Sequence, residues 1–257
     1  MIVLAFVGMA PAAFAWTPRT LVYLGEQAAR LTPPDLYRQL VKNQASYRIG
    51  LEEPFRSSVT QDRFADPDGS GNLDQALRTA VDQAIASIQA PRPFNEISYR
   101  LGVVAHYVAL LNDPLATASS DPQEPRYGRD FASYAESTLP RLQLVFYGFR
   151  SKVYDDQVER VMREAFARGR SMYPMVGREY RRVGFQSGRA SFDDRSTAYG
   201  VSALGQCHAV SDIAEVLRYI WLRAGGGDQR APLPIRGHAF VPLDPLPRLV
   251  GERQASR

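Results

Sequence analysis

An all-α fold is what this sequence predicts, on three observations. Apolar residues recur at helical spacing along nearly the whole chain, and strict apolar–polar alternation is scarce. The segment Ile97–Leu111 is apolar on almost every side, as a central buried helix must be. At 257 residues the chain can bury one substantial core, and its 45% hydrophobic and 23% charged content is ordinary for a globular protein.

The elements follow in chain order. Residues 2–15 are apolar and close with Ala13-Phe14-Ala15, the small-residue pattern cut by signal peptidase. Residues 1–15 therefore read as a signal peptide, and the protein as exported to the periplasm or medium. No basic residue precedes the apolar stretch, which leaves room for a start codon further upstream. The leader is shorter than the roughly 20 residues of a membrane-spanning helix, and no other uninterrupted apolar run reaches that length. Over 74–90, Leu77, Val81, Ala84, Ile85 and Ile88 form one stripe, opened by Asp74 as N-cap. The Ile97–Leu111 helix stops at Asn112-Asp113-Pro114, because proline cannot continue it. Tyr154, Val158, Val161 and Ala165 mark an amphipathic helix that ends near Gly169. Ser196–Ala224 reads as one long helix or two abutting ones, closed by Gly225-Gly226-Gly227. Loops are expected at 51–73 and 112–130. The division is thus a signal peptide at 1–15, an all-α domain at 16–227, and a proline-containing tail at 228–257 that is extended over the surface or disordered.

Several chemistries are excluded by absence. The chain holds no G-x-x-x-x-G-K-[ST], G-x-S-x-G, H-E-x-x-H or C-x-x-C. Cys207 is the single cysteine, so neither an intrachain disulfide nor a thiolate zinc cluster can form. Its neighbour His208 diverges from it by about 100° on a helix, so the two are a weak pair for joint chemistry. Formal charge is +4, yet Lys42 and Lys152 are the only lysines, a bias that reflects genome composition rather than a partner. The basic run Arg178–Arg182 reads as a solvated helix face, with contact to an anionic surface as its alternative. No nucleic-acid-specific motif is present.

Three segments carry a family resemblance. Cleavage after Ala15 would free the Trp16 amine beside its own carbonyl, a chelating pair. Leu101-Gly102 precedes His106-Tyr107 on the central helix, and Asp62–Gly69 holds an aspartate-proline turn. Together these resemble the zinc-dependent phospholipase C and P1 nuclease group over about residues 16–224. The resemblance implies an all-α multi-helix bundle and a three-zinc centre that activates water against a phosphodiester. It also implies ligands that this chain lacks. The family's first histidine position reads Leu21, the loop histidine reads Arg63, and the H-x3-D-x5-H pattern that begins at His106 continues with Leu110 and Ala116. Glu52 or Glu53 stands near an early aspartate ligand, and a later H-x3-E pair falls on Asp130 and Tyr134. The remnant metal set is therefore Trp16, Glu53, His106 and Asp130.

Asp66–Asp74 also resembles a calcium loop, but the place of its bidentate glutamate is Leu77, so a turn with a helix cap is the better reading. The first functional expectation is an exported, phospholipase C-like protein whose zinc centre has decayed to a binding or structural role. The alternative keeps one zinc in a reduced phosphodiesterase; a second alternative is an unrelated helical module. Arg63 is expected either to hold a phosphate-bearing or other anionic ligand, or to pair internally with Glu52, Glu53 or Asp130.

Overall fold

The computed structural model describes residues 16–56, 61–150, 152–227 and 239–240. The leader at 1–15 lies outside the described residues, as does the tail except Ala239–Phe240. Within them the helices are α1 (Pro18–Ala29), α2 (Pro34–Lys42), α3 (Gln44–Arg56), α4 (Leu73–Gln89) and α5 (Phe94–Leu111). They continue with α6 (Pro114–Thr117), α7 (Glu124–Thr138), α8 (Gln157–Val183) and α9 (Thr197–Arg223). Short 3-10 turns occupy Gln61–Arg63 and Gly188–Ser191. The only described strands are β1 (Val145–Phe146) and β2 (Ala239–Phe240), paired antiparallel with Val145 opposite Phe240.

Helix ends obey local chemistry. The Thr17 hydroxyl accepts the Thr20 N–H at 3.2 Å and starts α1 with Pro18 behind it. Ser196 caps α9 through the Tyr199 N–H, and α9 runs unbroken until Gly225 turns the chain at φ 91°. That resolves the long apolar segment as one helix. At α4 the N-cap is Asn72, not Asp74. Asp74 instead sits in the first turn, where a carboxylate interacts favourably with the helix dipole.

Three further expectations are corrected. The helix expected to stop near Gly169 continues to Val183, because Gly169 is a contact point: a Cβ there would overlap the Thr117 side chain. The expected 51–73 loop begins later, since α3 carries Pro54 in its last turn and reaches Arg56. The expected 112–130 loop holds α6, which opens on Pro114, and the start of α7, which has Pro125 as its second residue. Proline's fixed φ starts helices as readily as it stops them.

α5 is the central element, packed against α3, α4, α9 and α1. Its crossing with α3 is close enough that a Cβ on Gly50 would overlap the Tyr99 carbonyl, and one on Gly102 the Tyr47 carbonyl. The core closes around these helices with Tyr23, Tyr47, Tyr127, Phe131 and Tyr180 among its largest buried side chains.

The crossing makes a direct prediction. Gly102→Ala forces two backbones apart and should lower stability by roughly 1–3 kcal/mol, as overpacking does. Gly200→Ala, on α9 where an added Cβ meets open space, should raise it by about 0.5–1 kcal/mol through helix propensity. Urea unfolding of both variants checks this, and similar shifts in the two would contradict the crossing.

Candidate functional site

The site begins with the α3–α5 crossing, because it sets the Leu51 carbonyl against His106. The His106 Nδ1 lies 2.7 Å from that oxygen. A carbonyl only accepts, so Nδ1 carries the hydrogen and Nε2 holds a bare lone pair. His106 is wholly buried, and its Nε2 has no hydrogen-bond partner among the described residues. Phe55 and Tyr107 meet the imidazole edge-on, with ring centroids at 4.8 and 5.5 Å. Burial drives the His106 pKa down to about 4; the Leu51 carbonyl opposes this, and the Arg63 charge adds to it.

Arg63 comes to this place on the 3-10 turn. Its Nη2 donates to the Pro54 and Phe55 carbonyls at 2.8 and 2.9 Å, and Nε reaches Pro54 at 3.2 Å. These are among the last carbonyls of α3, which no later turn can satisfy. A guanidinium there closes the helix and complements its dipole. The following loop is tied to α6 by the Ala65 N–H donating to the Ala116 carbonyl at 3.0 Å, and by Ser119 donating to Asp66. The Asp66–Asp74 segment forms a turn: Ser70 N–H donates to Asp68 Oδ1 at 2.8 Å, and Gly69 N–H to the Asp66 carbonyl at 3.0 Å.

The other candidate ligands have separate engagements. Glu52 is buried and paired with Arg56 at 2.9 Å. Glu53 faces α5, where its charge adds to the burial that raises the Tyr99 pKa. Asp130 accepts the Tyr180 hydroxyl at 2.6 Å and the Arg189 N–H at 2.8 Å, anchoring the second 3-10 turn. Tyr134 is buried, its ring at 5.0 Å from Phe192 and its hydroxyl 3.5 Å from Ser196. Trp16 is 2% exposed and lies over Gly205 of α9. Leu21, Leu110 and Ala116 are completely buried in the core. The structure thus joins His106, Arg63 and the end of α3, while Asp130 and Trp16 pack against other elements. Among the described residues, no group of three or more His, Cys, Asp or Glu side chains is placed to hold a metal ion.

A second polar region went unread in the sequence. Asn112, at the end of α5, donates to Asp212 of α9 at 3.0 Å and accepts from Arg168 of α8 at 3.0 Å; Arg168 also pairs with Asp212. One turn beyond Asp212, Glu215 accepts from Gln157 at 2.7 Å. Burial lifts the Glu215 pKa to about 7 against the pull of Arg218 and Arg150. The available signal was polar: Asp212 and Glu215 interrupt a helix that is otherwise apolar here. Cys207 is buried, its sulfur accepting the Val145 N–H at 3.3 Å, while His208 rests on the Tyr147 ring at 4.4 Å. Arg181 and Arg182 of the basic run are paired with Asp121 and Glu179.

This architecture is that of an all-α bundle with known counterparts. The chain is similar to the alpha-toxin of Clostridium perfringens isolated from avian strain SWCP, with a TM-score of 0.58 and 13% identity, over 84% of this chain and 66% of the toxin's. It is likewise similar to the alpha toxin of Clostridium absonum, with a TM-score of 0.58 and 16% identity, over 87% of this chain and 67% of the toxin's. The chain therefore spans about two thirds of the length of these toxins, and at such identities the likeness is one of fold. No protein-family model matches the sequence, and no curated protein is similar to it in sequence.

The buried imidazole has a pH signature. Its folded pKa near 4 lies below the ordinary 6.5, so the unfolded chain takes up the proton first as pH falls. Stability from this group is full above pH 6.5 and is lost as pH falls through 4, by on the order of 3 kcal/mol. His208, also lowered to about 4, acts in the same sense; Glu124 and Glu215, raised to about 7, act in the opposite one. The readout is therefore a difference: the destabilisation caused by His106→Asn should shrink markedly between pH 7 and pH 4. A penalty independent of pH would contradict a buried neutral His106.

Proposed function

We propose that this is an exported, phospholipase C-like helical protein in which the zinc centre has given way to packing, and which binds a ligand or serves a structural role without hydrolysing phosphodiesters. One observation carries the reading: Leu21, Leu110 and Ala116, at three positions where the family resemblance implies ligands, are completely buried in the apolar core. Hydrocarbon there can neither coordinate a cation nor polarise a water. The fold shared with the two alpha-toxins supports the phospholipase C-like part. Export rests on the Ala13-Phe14-Ala15 pattern, and no described helix is long and apolar enough to cross a membrane.

The residues fit a zinc centre at one point only. His106 has the tautomer a metal-binding histidine needs, with Nδ1–H held by a carbonyl and Nε2 unpartnered among the described residues. That favours, as a second reading, a single zinc on His106 with Glu53, Asp130 and the Trp16 amine as the remaining candidates. Bound zinc would supply a Lewis acid and an acidified water. The engagements of Asp130 with Tyr180 and Arg189 weigh against this assembly. In the preferred reading Arg63 supplies fixed positive charge beside His106, suited to a phosphate-bearing or other anionic ligand.

Metal analysis of protein purified without added zinc, joined to phosphodiester hydrolysis assays, tests the proposal. We expect sub-stoichiometric zinc and no zinc-dependent turnover. Stoichiometric zinc lost on His106→Ala, together with hydrolysis, would establish the second reading instead. Titration with inorganic phosphate tests the anionic ligand: binding should weaken at least about tenfold on Arg63→Ala, the loss of one charge-assisted contact. Equal affinity in the two proteins would remove Arg63 from the site.

A further inference from the structure

A groove of about 410 Å³ lies between α4, α5 and the first 3-10 turn. Ala76 and Ala80, one turn apart on α4, are small enough to leave it room. Around them stand Gln75, Thr79 and Gln83 from α4, Asp62 from the turn and Tyr107 from α5. The three α4 side chains are exposed and the other two half-buried, so a solute can reach all five. The Asp62 carboxylate and the Tyr107 hydroxyl form no hydrogen bond among the described residues, and neither is shielded from solvent.

The α4 side chains are held in place yet only partly used. Arg100 donates to Gln83 Oε1 at 3.1 Å, which leaves the Gln83 amide N–H groups as donors. Gln75 donates to the Thr79 hydroxyl at 3.4 Å, which leaves Gln75 Oε1 as an acceptor and the Thr79 hydrogen as a donor. The turn that carries Asp62 is strapped to the start of α4: Asn72 N–H donates to the Gln61 carbonyl at 2.7 Å, and Leu73 N–H to the Phe64 carbonyl at 3.2 Å. Charge is nearly balanced. Asp62 is the one ionised group in the lining, and at Tyr107 its field is opposed by that of Arg63. An anion would face Asp62 with no cation in the lining to hold it, and a cation would feel the guanidinium next to Asp62. An uncharged ligand whose groups both donate and accept matches the carboxylate, the amides and the hydroxyls together.

We infer that the groove between α4 and α5 binds a neutral sugar in its ring form. Adjacent sugar hydroxyls donate to the two oxygens of Asp62, and a further hydroxyl donates to Gln75 Oε1. Thr79 and Gln83 donate to sugar oxygens. Tyr107 supplies an apolar ring for the C–H surface of the sugar and a hydroxyl for its polar edge. The bonds to Asp62 are charge-assisted and contribute most of the contact's strength. A volume of about 410 Å³ falls within the roughly 300–1,000 Å³ of small-molecule sites. Neither His106 nor Arg63 belongs to the lining, so the inference stands apart from the zinc and phosphate readings.

Calorimetric titration of the whole protein with glucose, galactose, mannose and N-acetylglucosamine, beside cyclohexanol and propylamine, tests the inference. At least one sugar should bind at millimolar concentration. Cyclohexanol, which keeps the ring but has a single hydroxyl, should bind at least about tenfold more weakly. Asp62→Asn removes the charge at a half-exposed position and should weaken sugar binding at least about tenfold, the loss of its charge-assisted bonds. Tyr107→Phe keeps the ring and should cost a few-fold. Asp82→Asn removes an exposed carboxylate of α4 outside the groove and should bind as wild type. No binding by any of the four sugars, propylamine binding tighter than the sugars, or wild-type affinity in both groove variants would overturn the proposal.

Discussion

The close approach of α3 to α5 is the constraint from which the rest of the structure follows. Two glycines, Gly50 and Gly102, let backbone meet backbone where any larger residue would intrude on a carbonyl. That contact places the Leu51 carbonyl on His106 and turns the end of α3 toward the loop that carries Arg63. It also fixes α5 at the centre, so that α1, α4 and α9 can pack around one apolar cylinder. Because interiors are packed at crystal-like density, widening this crossing would be felt by every helix that touches α5.

Polar groups buried in the core differ in how fully they are satisfied. Around His106, one bond to Leu51 holds the ring, and Phe55 and Tyr107 meet it edge-on. Around Asn112 the arrangement is richer, since one amide joins three helices through Arg168 and Asp212. Burial acts on the two sites in opposite directions. It keeps the imidazole neutral by lowering its pKa, and it pushes the carboxyls of Asp212 and Glu215 upward. A third network, in which Tyr173 donates to Glu124 at 2.6 Å, ties α8 to α7 by the same means.

Much of the fold was legible because its signals are local. The apolar surround of Ile97–Leu111, the serine at 196 and the glycines after Ala224 each act within a turn or two, and α5 and α9 end where those residues say. The site was legible in part. His106 on a central helix and Arg63 in a loop were visible, but their meeting at the end of α3 was not. Nothing in the sequence links Arg63 to the Pro54 and Phe55 carbonyls, because that bond arises from where the loop returns.

By itself the sequence determined the helical class, the central helix and the long terminal helix. Those properties depend on periodicity and on the chemical identity of single residues. Tertiary structure alone decided that Gly169 is a contact with Thr117 rather than a stop, and that Pro54 is carried inside α3. It alone decided that His106 carries its hydrogen on Nδ1, and that Asn112, Arg168 and Asp212 meet. The physical reason is range. A cap or a stripe is specified by neighbours in the chain, whereas a buried charge or a glycine contact is specified by whatever the folded backbone brings against it.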